Sequence, residues 1–516
     1  MLKEEIMAAP IGKASTFDAN TMIELKNGKL VDVIKGSYFP EATRLFIKNG
    51  KIESVVTGDN EKRASVISID LKGRTVIPAL FNVHCHIQMV NPTIFLSLNS
   101  IRMSKRFKSR QIEKSMAECL KHGIIHIRDA FSDHLAANTE LRSRISKSEI
   151  PGPRIVQSVV VGPKGGYLSP EYRGIKKVLL GSFGIGKTDY ANPMSGVVAF
   201  QPWASTQDVR DAVNRAIDER GAETIKVGES KEEGLLNKDP VIMSMDQLSA
   251  ITDQARKRGI PSTIHCVSVE TFRRAIKAGF SSLAHMPRDA VLSDADIQNF
   301  QRSGSMIEPT LSVAYDMSWP IKSDPYASDQ NMKTVCDFRD RTFPSLISRF
   351  WLDDLGKAAM VGFQKARKGN YKALGVINMS GSLSHFSRMI HFGVKNTRKL
   401  LEAGVPMACG NDAGVQSCTP AMIGHEISIF NLFINSNENN PLFDPKTALR
   451  AATINSAISL GIEKQSGSIQ PGKIADLAIL EGDPLEDASV IGAPVDALFI
   501  NGQLTNNNVN FNVTAS

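Results

Sequence analysis

The 516-residue sequence lacks the features that would indicate several other classes of protein. Its six cysteines are scattered without a Cys-x-x-Cys pair or a regular spacing, which argues against a disulfide scaffold and favours a reducing compartment. It has no run of 18 apolar residues, so no membrane span is expected. The first ten residues include acidic side chains and no apolar core of a signal peptide. We therefore expect a cytoplasmic protein.

Basic residues are also not concentrated in any one stretch. The chain has 61 Lys and Arg residues against 53 Asp and Glu residues, a net charge of +8, and no basic run is interleaved with aromatic residues. A nucleic-acid partner is therefore not expected. The small positive excess favours, at most, an anionic small-molecule substrate.

The two ends of the sequence resemble each other in pattern. Residues 21–73 and 467–504 contain short apolar strands, and Asn-Gly steps at Asn27, Asn49 and Asn501 indicate tight hairpins. Neither unit can bury much apolar surface alone. We predict that both ends form one composite β-sandwich domain, followed by a loose Asn-rich tail.

Residues 74–466 alternate strand-like and helical segments, which indicates βα units and a parallel sheet. Eight candidate strands can be counted, and they cover residues 76–84, 123–130, 153–162, 223–229, 260–268, 280–287, 305–313 and 405–413. Eight strands predict an α/β fold, a (β/α)8 TIM-like barrel carrying the small β-sandwich. In such barrels functional sites lie at the C-terminal ends of the strands.

Two segments are longer than ordinary loops. Residues 164–205 are rich in Gly, Pro and Ser and are predicted to cover the mouth of the site. Residues 320–395 contain apolar residues near helical spacing, which predicts a helical insertion. We expect this insertion to form a lid or a contact between subunits, and we expect a homo-oligomer.

Polar residues occur where the candidate strands end. His84 and His86 are spaced so that both project from one face of a strand, although this pair alone does not identify a metal site. Lys226 lies in an apolar strand, where its charge is costly. The full set of polar residues at strand ends is His84, His86, Lys226, His265, His285 and Asp412.

These residue types suit a centre of two divalent metal ions, with Zn²⁺ expected. Neutral imidazoles and a carboxylate are zinc ligands. Burial lowers the pKa of a lysine, and the free amine of Lys226 can take up CO2 to give a carbamate that bridges two metals. A hydroxide bridging the metals would be the nucleophile, and Asp412 would take its proton and pass it to the leaving group. The predicted reaction is hydrolysis of an amide.

Six motifs resemble the amidohydrolase superfamily, namely VIPALFNVHCH, HGIIHIRDAF, IKVGE, STIHC, LAHMP and CGNDAG, as does the closing stretch AATINSAISLGIEKQSGSIQPGKIADLAILEGDPL. The resemblance extends from about residue 21 to residue 504. It is strongest to the imidazolonepropionase-related amidases, which include metal-dependent prolidases, carboxypeptidase-like enzymes acting on N-acyl amino acids, and ochratoxinase. Lys226 argues against imidazolonepropionase itself, which uses one metal and lacks the bridging lysine.

The resemblance implies a role for each of the six residues. It implies that His84, His86 and Asp412 bind the more buried metal and that His265 and His285 bind the second. Lys226, as its carbamate, would bridge the two metals.

The sequence departs from the family pattern at four positions outside this set. Ala79 and Asn82 replace the usual Gly and Asp, Asn411 replaces a Thr, and Tyr167 replaces a His in a Gly-Gly-His motif. These departures remove no candidate metal ligand, but they prevent the substrate from being inferred from the family.

Contacts with the substrate are less well defined by the sequence. Arg128 and Arg288 are candidates to pair with a substrate carboxylate, and a structural ion pair is the alternative for each. Tyr167 is a candidate to hydrogen-bond the substrate carbonyl, and loop packing is its alternative. The remaining histidines are interpreted as structural or surface residues: His122, His126, His134, His385, His391 and His425.

We predict a hydrolase that cleaves the amide or peptide-like bond of a small molecule, such as an N-acyl amino acid or a dipeptide. A mononuclear deaminase and a cyclic-amide or lactone hydrolase remain alternatives. A deaminase of this fold usually has Glu three residues after the histidine of strand five, whereas Glu270 lies five residues after His265. A non-catalytic scaffold protein is the third alternative, but such relatives typically lose ligands and this chain keeps all six.

Overall fold

The structure is a computed structural model that describes residues 20–58, 63, 65–90, 105–132, 135–169, 194–230, 240–320, 326, 330–370, 387–414, 417–435, 441–509 and 511–515. Seven short strands come first: β1 (Met22–Lys26), β2 (Lys29–Asp32), β3 (Ser37–Tyr38), β4 (Thr43–Lys48), β5 (Lys51–Thr57), β6 (Val66–Asp70) and β7 (Thr75–Pro78).

A parallel barrel follows, and it contains β8 (Leu80–Cys85), β9 (Ile124–Asp129), β10 (Arg154–Pro163), β11 (Val197–Phe200), β12 (Thr224–Gly228), β13 (Ser262–His265), β14 (Ser282–Ala284) and β15 (Met306–Glu308). Neighbours run in the order β8, β9, β10, β12, β13, β14 and β15, and β11 pairs with the end of β10. Residues 405–413 close the ring, because Met407 bridges Ile307 of β15 and Ala413 bridges Cys85 of β8. The predicted barrel is confirmed.

Helices cover the barrel and alternate with its strands. Among the described residues they are α1 (Lys105–Lys121), α2 (Leu135–Ser146), α3 (Thr206–Asp218), α4 (Met245–Lys257), α5 (Val269–Ala278), α6 (Asp294–Ser303), α7 (Leu311–Met317), α8 (Gln330–Phe350), α9 (Asp353–Arg367), α10 (Val394–Glu402), α11 (Ile423–Ile434), α12 (Pro445–Ala452) and α13 (Ile454–Ser459). A π-helix, Met389–Gly393, precedes α10. No helix in these ranges is long and apolar enough to cross a membrane.

Four strands follow the barrel and complete two sheets with strands from the N-terminal end: β16 (Leu477–Leu480), β17 (Ala497–Ile500), β18 (Gln503–Asn507) and β19 (Asn512–Ala515). One sheet has the order β19, β6, β1, β4, β5, and the other has the order β18, β17, β16, β7, β2, β3. Leu25, Leu45, Leu477 and Phe499 are buried together in the core of this sandwich. Strand β19 pairs with β6, so the expectation of a loose tail is wrong there.

The predicted first strand is two strands with different partners. β7 pairs with β16 of the sandwich, whereas β8 pairs with β9 of the barrel. The backbone changes partner between them: Ala79 N–H donates to the Asp476 carbonyl (3.0 Å), and Leu80 N–H donates to the Gly123 carbonyl (2.7 Å). Because Pro78 has no N–H to donate, the change of partner at this point leaves no donor unpaired.

The predicted insertion corresponds to α8, α9, the π-helix and the start of α10, while its residues 321–325, 327–329 and 371–386 lie outside the described ranges. Residues 170–193 of the other long segment, which was predicted to cover the mouth of the site, also lie outside them. Phe343 of α8 stacks on Phe363 of α9 at 4.4 Å. The indole N–H of Trp351 donates to the Ser417 carbonyl at 2.7 Å. The insertion therefore contacts the segment that follows the closing strand of the barrel.

Candidate metal centre

The first two histidines and the aspartate are brought together by the closure of the barrel. His84 is the next-to-last residue of β8, and the Asp412 N–H donates to its carbonyl at 2.8 Å. Two residues on, the His86 N–H donates to the Ala413 carbonyl at 2.7 Å. Asp412 Oδ1 consequently lies 3.0 Å from His86 Nε2 and 3.4 Å from His84 Nε2.

His265, which ends β13, and His285, which follows β14, join the same group. The ring of His285 lies 5.0 Å from the ring of His84 and 4.5 Å from the ring of His265. One ring nitrogen of His84, one of His285 and one carboxylate oxygen of Asp412 lie within 4.8 Å of one another.

Lys226 lies in β12, between β10 and β13 of the barrel. Its side chain is buried, and its Nζ makes no hydrogen bond with any residue in the described ranges. Burial, followed by the nearby positive charge of Arg128, lowers the pKa of Lys226 to about 8. The strand environment therefore gives Lys226 a larger fraction of uncharged amine than an exposed lysine has, and the uncharged amine is the form that reacts with CO2.

The histidines are held in the form that binds metals. Burial is the main cause that lowers the pKa of His84 and His285 well below the usual value, so both rings are neutral at pH 7. In three of the four rings Nδ1 lies beside an oxygen of the protein, which leaves Nε2 for a metal. These contacts are Glu308 Oε2 for His84 (3.4 Å), the Phe131 carbonyl for His86 (3.1 Å) and Thr310 Oγ1 for His285 (2.6 Å).

A divalent metal fits these residues. His84 Nε2, Lys226 Nζ and Asp412 Oδ1 are buried and make no hydrogen bond within the part of the chain that the structure describes. Buried polar atoms are costly when they are left without partners. Nitrogen and carboxylate donors in this arrangement are the ligand set of zinc.

Three residues at this centre have strained backbone conformations. His285, Thr310 and Asp412 have positive φ angles of 71°, 49° and 49°, which side chains other than glycine rarely adopt. Gly410 is required for the close approach of the last strand, because a Cβ at this position would lie 2.6 Å from His84 Cβ. The surrounding structure thus holds the ligands in conformations that they would not adopt alone.

Two departures from the family pattern contact each other. The Asn82 amide donates to Asn411 Oδ1 at 2.8 Å, and the Asn82 Oδ1 atom accepts from the His84 N–H at 3.2 Å. Asn411 Oδ1 also accepts from the Ala413 N–H at 3.2 Å. The pair therefore ties the strand of His84 to the strand of Asp412.

Two residues of the site escaped the sequence analysis. Glu308 ends β15 and is completely buried, and its carboxylate binds Arg128, Ser459 and His84. A charged residue inside an apolar strand was the available signal, as it was for Lys226. Thr310, which contacts His285, gave no signal, because a threonine after a proline is ordinary in a loop.

The three candidate substrate contacts lie in different surroundings. Arg128 is completely buried and forms an ion pair with Glu308, and this position does not favour a contact with substrate. Arg288 lies three residues after His285 and is 3% exposed. Tyr167 is partly exposed, and its ring stacks on His265 at 4.6 Å. Tyr167 contacts a candidate ligand directly, whereas Arg128 lies near Lys226 but is held by its ion pair with Glu308.

Comparison with known sequences identifies the family. Residues 75–511 match the amidohydrolase family. Imidazolonepropionase of Symbiobacterium thermophilum is 35% identical over 83 residues, which is 16% of this chain and 18% of that protein. The chain therefore matches about a fifth of the length of this relative.

Solved structures share the fold over nearly the whole chain. A Xaa-Pro dipeptidase with bound methionine in its active site has a TM-score of 0.64 and 22% identity, covering 94% of this chain and 99% of that one. The ochratoxinase of A. niger has a TM-score of 0.64 and 18% identity, covering 95% and 97% of the two chains. The resemblance inferred from the motifs is confirmed, and the chain belongs to the amidohydrolase family.

Proposed function

We propose that this protein is a binuclear metal-dependent hydrolase that cleaves an amide or peptide-like bond of an N-acyl amino acid, a dipeptide or a related small molecule. The observation that carries the proposal is Lys226, a buried lysine of lowered pKa whose Nζ makes no hydrogen bond with the described residues. It lies in the same barrel as four histidines and an aspartate. A single-metal centre would need no such lysine.

The six side chains would hold two metals, with His84, His86 and Asp412 at one and His265 and His285 at the other. The amine of Lys226 would add to CO2, forming an N–C bond and releasing one proton to solvent. The resulting carbamate would supply a carboxylate able to bridge the two metals. Bound divalent ions would supply a polarised carbonyl and a water of lowered pKa.

Asp412 is the proton carrier in this proposal. Its Oδ1 faces His84 and His86 at 3.4 and 3.0 Å, and the residue is 4% exposed. It would accept a proton from the attacking water and deliver it to the amine leaving group. The Nδ1 contacts of the histidines would keep the rings in place during this transfer.

The substrate end of the proposal rests on Arg288 and Tyr167. Arg288 lies three residues after His285 in the sequence and is buried, and its guanidinium would suit the carboxylate of a released amino acid. Tyr167 stacks on His265 and would orient the substrate carbonyl. The Xaa-Pro dipeptidase and the ochratoxinase that share this fold support an amide-type substrate. The homo-oligomer and the cytoplasmic location stay predictions.

The test is hydrolysis of a panel of N-acyl amino acids and Xaa-Pro dipeptides by the zinc-loaded protein, with amino-acid release as the readout. We expect release that stops on chelation and returns with Zn²⁺. Asp412→Asn should lower kcat by about 10²–10⁴-fold. Asp294→Asn is the matched control, because Asp294 is exposed on α6 and pairs with Lys399.

Two results would overturn the proposal. One is release that chelation does not affect, and the other is full activity of Asp412→Asn. If the protein hydrolyses only lactones or cyclic amides, the proposed substrate class is wrong and the protein is a cyclic-amide or lactone hydrolase.

A further inference from the structure

A second cluster of metal-binding side chains lies outside the centre described above. Asp316 lies on α7, Cys418 lies in the segment after the closing strand, and His425 lies on α11. They are only 2%, 1% and 6% exposed. One ligand atom of each lies within 4.8 Å of the others. From the sequence alone, His425 was interpreted as a structural or surface histidine.

Asp316 contacts both of the other residues of the cluster. Cys418 Sγ lies 2.9 Å from Asp316 Oδ2, and His425 Nε2 lies 3.6 Å from Asp316 Oδ1. The imidazole Nε2 is buried and makes no hydrogen bond with any described residue. It is therefore a buried nitrogen, aimed at a carboxylate and a thiol, whose hydrogen-bonding capacity is not used.

Packing holds the imidazole in this orientation. The rings of Tyr315 and Phe338 lie 5.3 and 6.4 Å from the His425 ring. The neighbouring Glu426 accepts hydrogen bonds at 2.7 Å from the N–H groups of Leu311 and Ser312. Helix α11 is thus fixed against the start of α7, and the relative positions of His425 and Asp316 are set by contacts other than their own.

We propose that Asp316, Cys418 and His425 form a further divalent-metal site that takes Zn²⁺ or an ion of similar softness. A thiolate, an imidazole and a carboxylate together select such an ion over Mg²⁺ or Ca²⁺. On binding, the Cys418 thiol loses its proton to solvent and a metal–sulfur bond replaces the contact with Asp316.

The position of the site gives it a structural role towards the main centre. Helix α7 begins one residue after Thr310, which contacts His285. Cys418 follows Asp412 by six residues. An ion bound here would link the segment that contains Thr310, which supports His285, to the segment that contains Asp412, a ligand candidate of the main centre.

The thiolate ligand gives this site its own spectroscopic signature. The proposed main centre has no cysteine ligand, so a thiolate-to-Co²⁺ charge-transfer band would report the Asp316–Cys418–His425 site alone. We expect cobalt loading of the full-length protein to produce this band, with saturation at one thiolate-bound Co²⁺ per chain. Cys418→Ser should abolish it.

Two cysteine variants serve as controls. Cys85→Ser tests the thiol beside His84, and Cys336→Ser tests the partly buried thiol of α8. Both should keep the band at full intensity. Asp316→Asn should weaken Co²⁺ binding at this site while circular dichroism shows an unchanged fold.

The proposal is overturned if Co²⁺ produces no thiolate band, or if the band survives in Cys418→Ser. In either case the three residues are a hydrogen-bonded cluster only. This readout does not depend on hydrolysis, so it stands or falls separately from the proposed function.

Discussion

At the scale of single residues, charged side chains are buried on three strands of the barrel that are not adjacent, β9, β12 and β15. Lys226, Arg128 and Glu308 are all buried. Lys226 could be predicted as a site residue because a lysine in an apolar strand needs an explanation. The Arg128–Glu308 pair could not, because β9 and β15 are 180 residues apart in the sequence, and only the closed barrel places them in contact.

Arg128→Met should destabilise the protein, since it leaves Glu308 buried without its ion-pair partner. Removal of one partner of a buried pair costs about 3–5 kcal/mol. Urea unfolding of the variant checks this value, and Arg128→Met combined with Glu308→Gln should recover part of the loss. A variant of normal stability with a raised KM would instead show that Arg128 binds substrate.

At the scale of elements, the ends of the strands carry the site and the loops support it. The sequence predicted the strands that carry the six ligand candidates because each ends in a recognisable motif. It extended the seventh strand to residue 313, whereas β15 ends at Glu308 and α7 begins at Leu311. Thr310 turns the chain between them with φ of 49°, and no propensity of Thr predicts that conformation.

Thr310→Ala should weaken metal binding at His285, because Thr310 Oγ1 lies 2.6 Å from His285 Nδ1. Loss of such a supporting contact typically lowers metal affinity by about 10–100-fold. Competition with a chromophoric chelator measures the change in Zn²⁺ affinity. Thr310→Ser keeps the hydroxyl and is the matched control. Equal affinities of all three proteins would contradict a supporting role.

At the scale of the whole molecule, a cluster of buried polar residues joins the barrel to the sandwich. Arg154 at the start of β10 pairs with Asp476 at 2.9 Å, and Asp476 also accepts from the Asn501 N–H. His126 of β9 lies 3.8 Å from Asp476 and stacks on Phe81. The composite sandwich could be predicted from the Asn-Gly hairpins. The junction could not, because its members come from four separate segments.

The His126 side chain should make stability depend on pH. Burial lowers the pKa of His126 from 6.5 to about 4, so the folded state binds this proton less readily than the unfolded state does. Its contribution is therefore complete above about pH 6.5 and is lost as the pH falls towards 4. The loss from one group is about 1.4 kcal/mol per pH unit. Urea unfolding of the wild type and of His126→Phe, which keeps the ring stacking, measures it. If the unfolding free energies of the two proteins changed with pH in parallel, the prediction would be contradicted.

Loss of β19 alone should destabilise the protein much less than loss of all strands after the barrel. Strand β19 is an exposed edge strand, so a chain that ends at residue 507 should lose about 1 kcal/mol or less. A chain that ends at residue 466 lacks β16 and β17 and exposes Leu25 and Leu45 of the sandwich core. It should aggregate when expressed. Soluble expression and thermal unfolding of both truncated chains test the difference, and a stable chain ending at 466 would contradict it.

The central claim is that Lys226 carries a carbamate that bridges two metals. The most direct measurement is carbon NMR of the zinc-loaded protein in isotopically labelled bicarbonate. The account predicts one carbamate resonance that is absent in Lys226→Gln, together with loss of metal and of activity in that variant, and unchanged behaviour in Lys399→Gln on the surface. An active wild-type protein without the resonance, or Lys226→Gln with full metal content and activity, would contradict it.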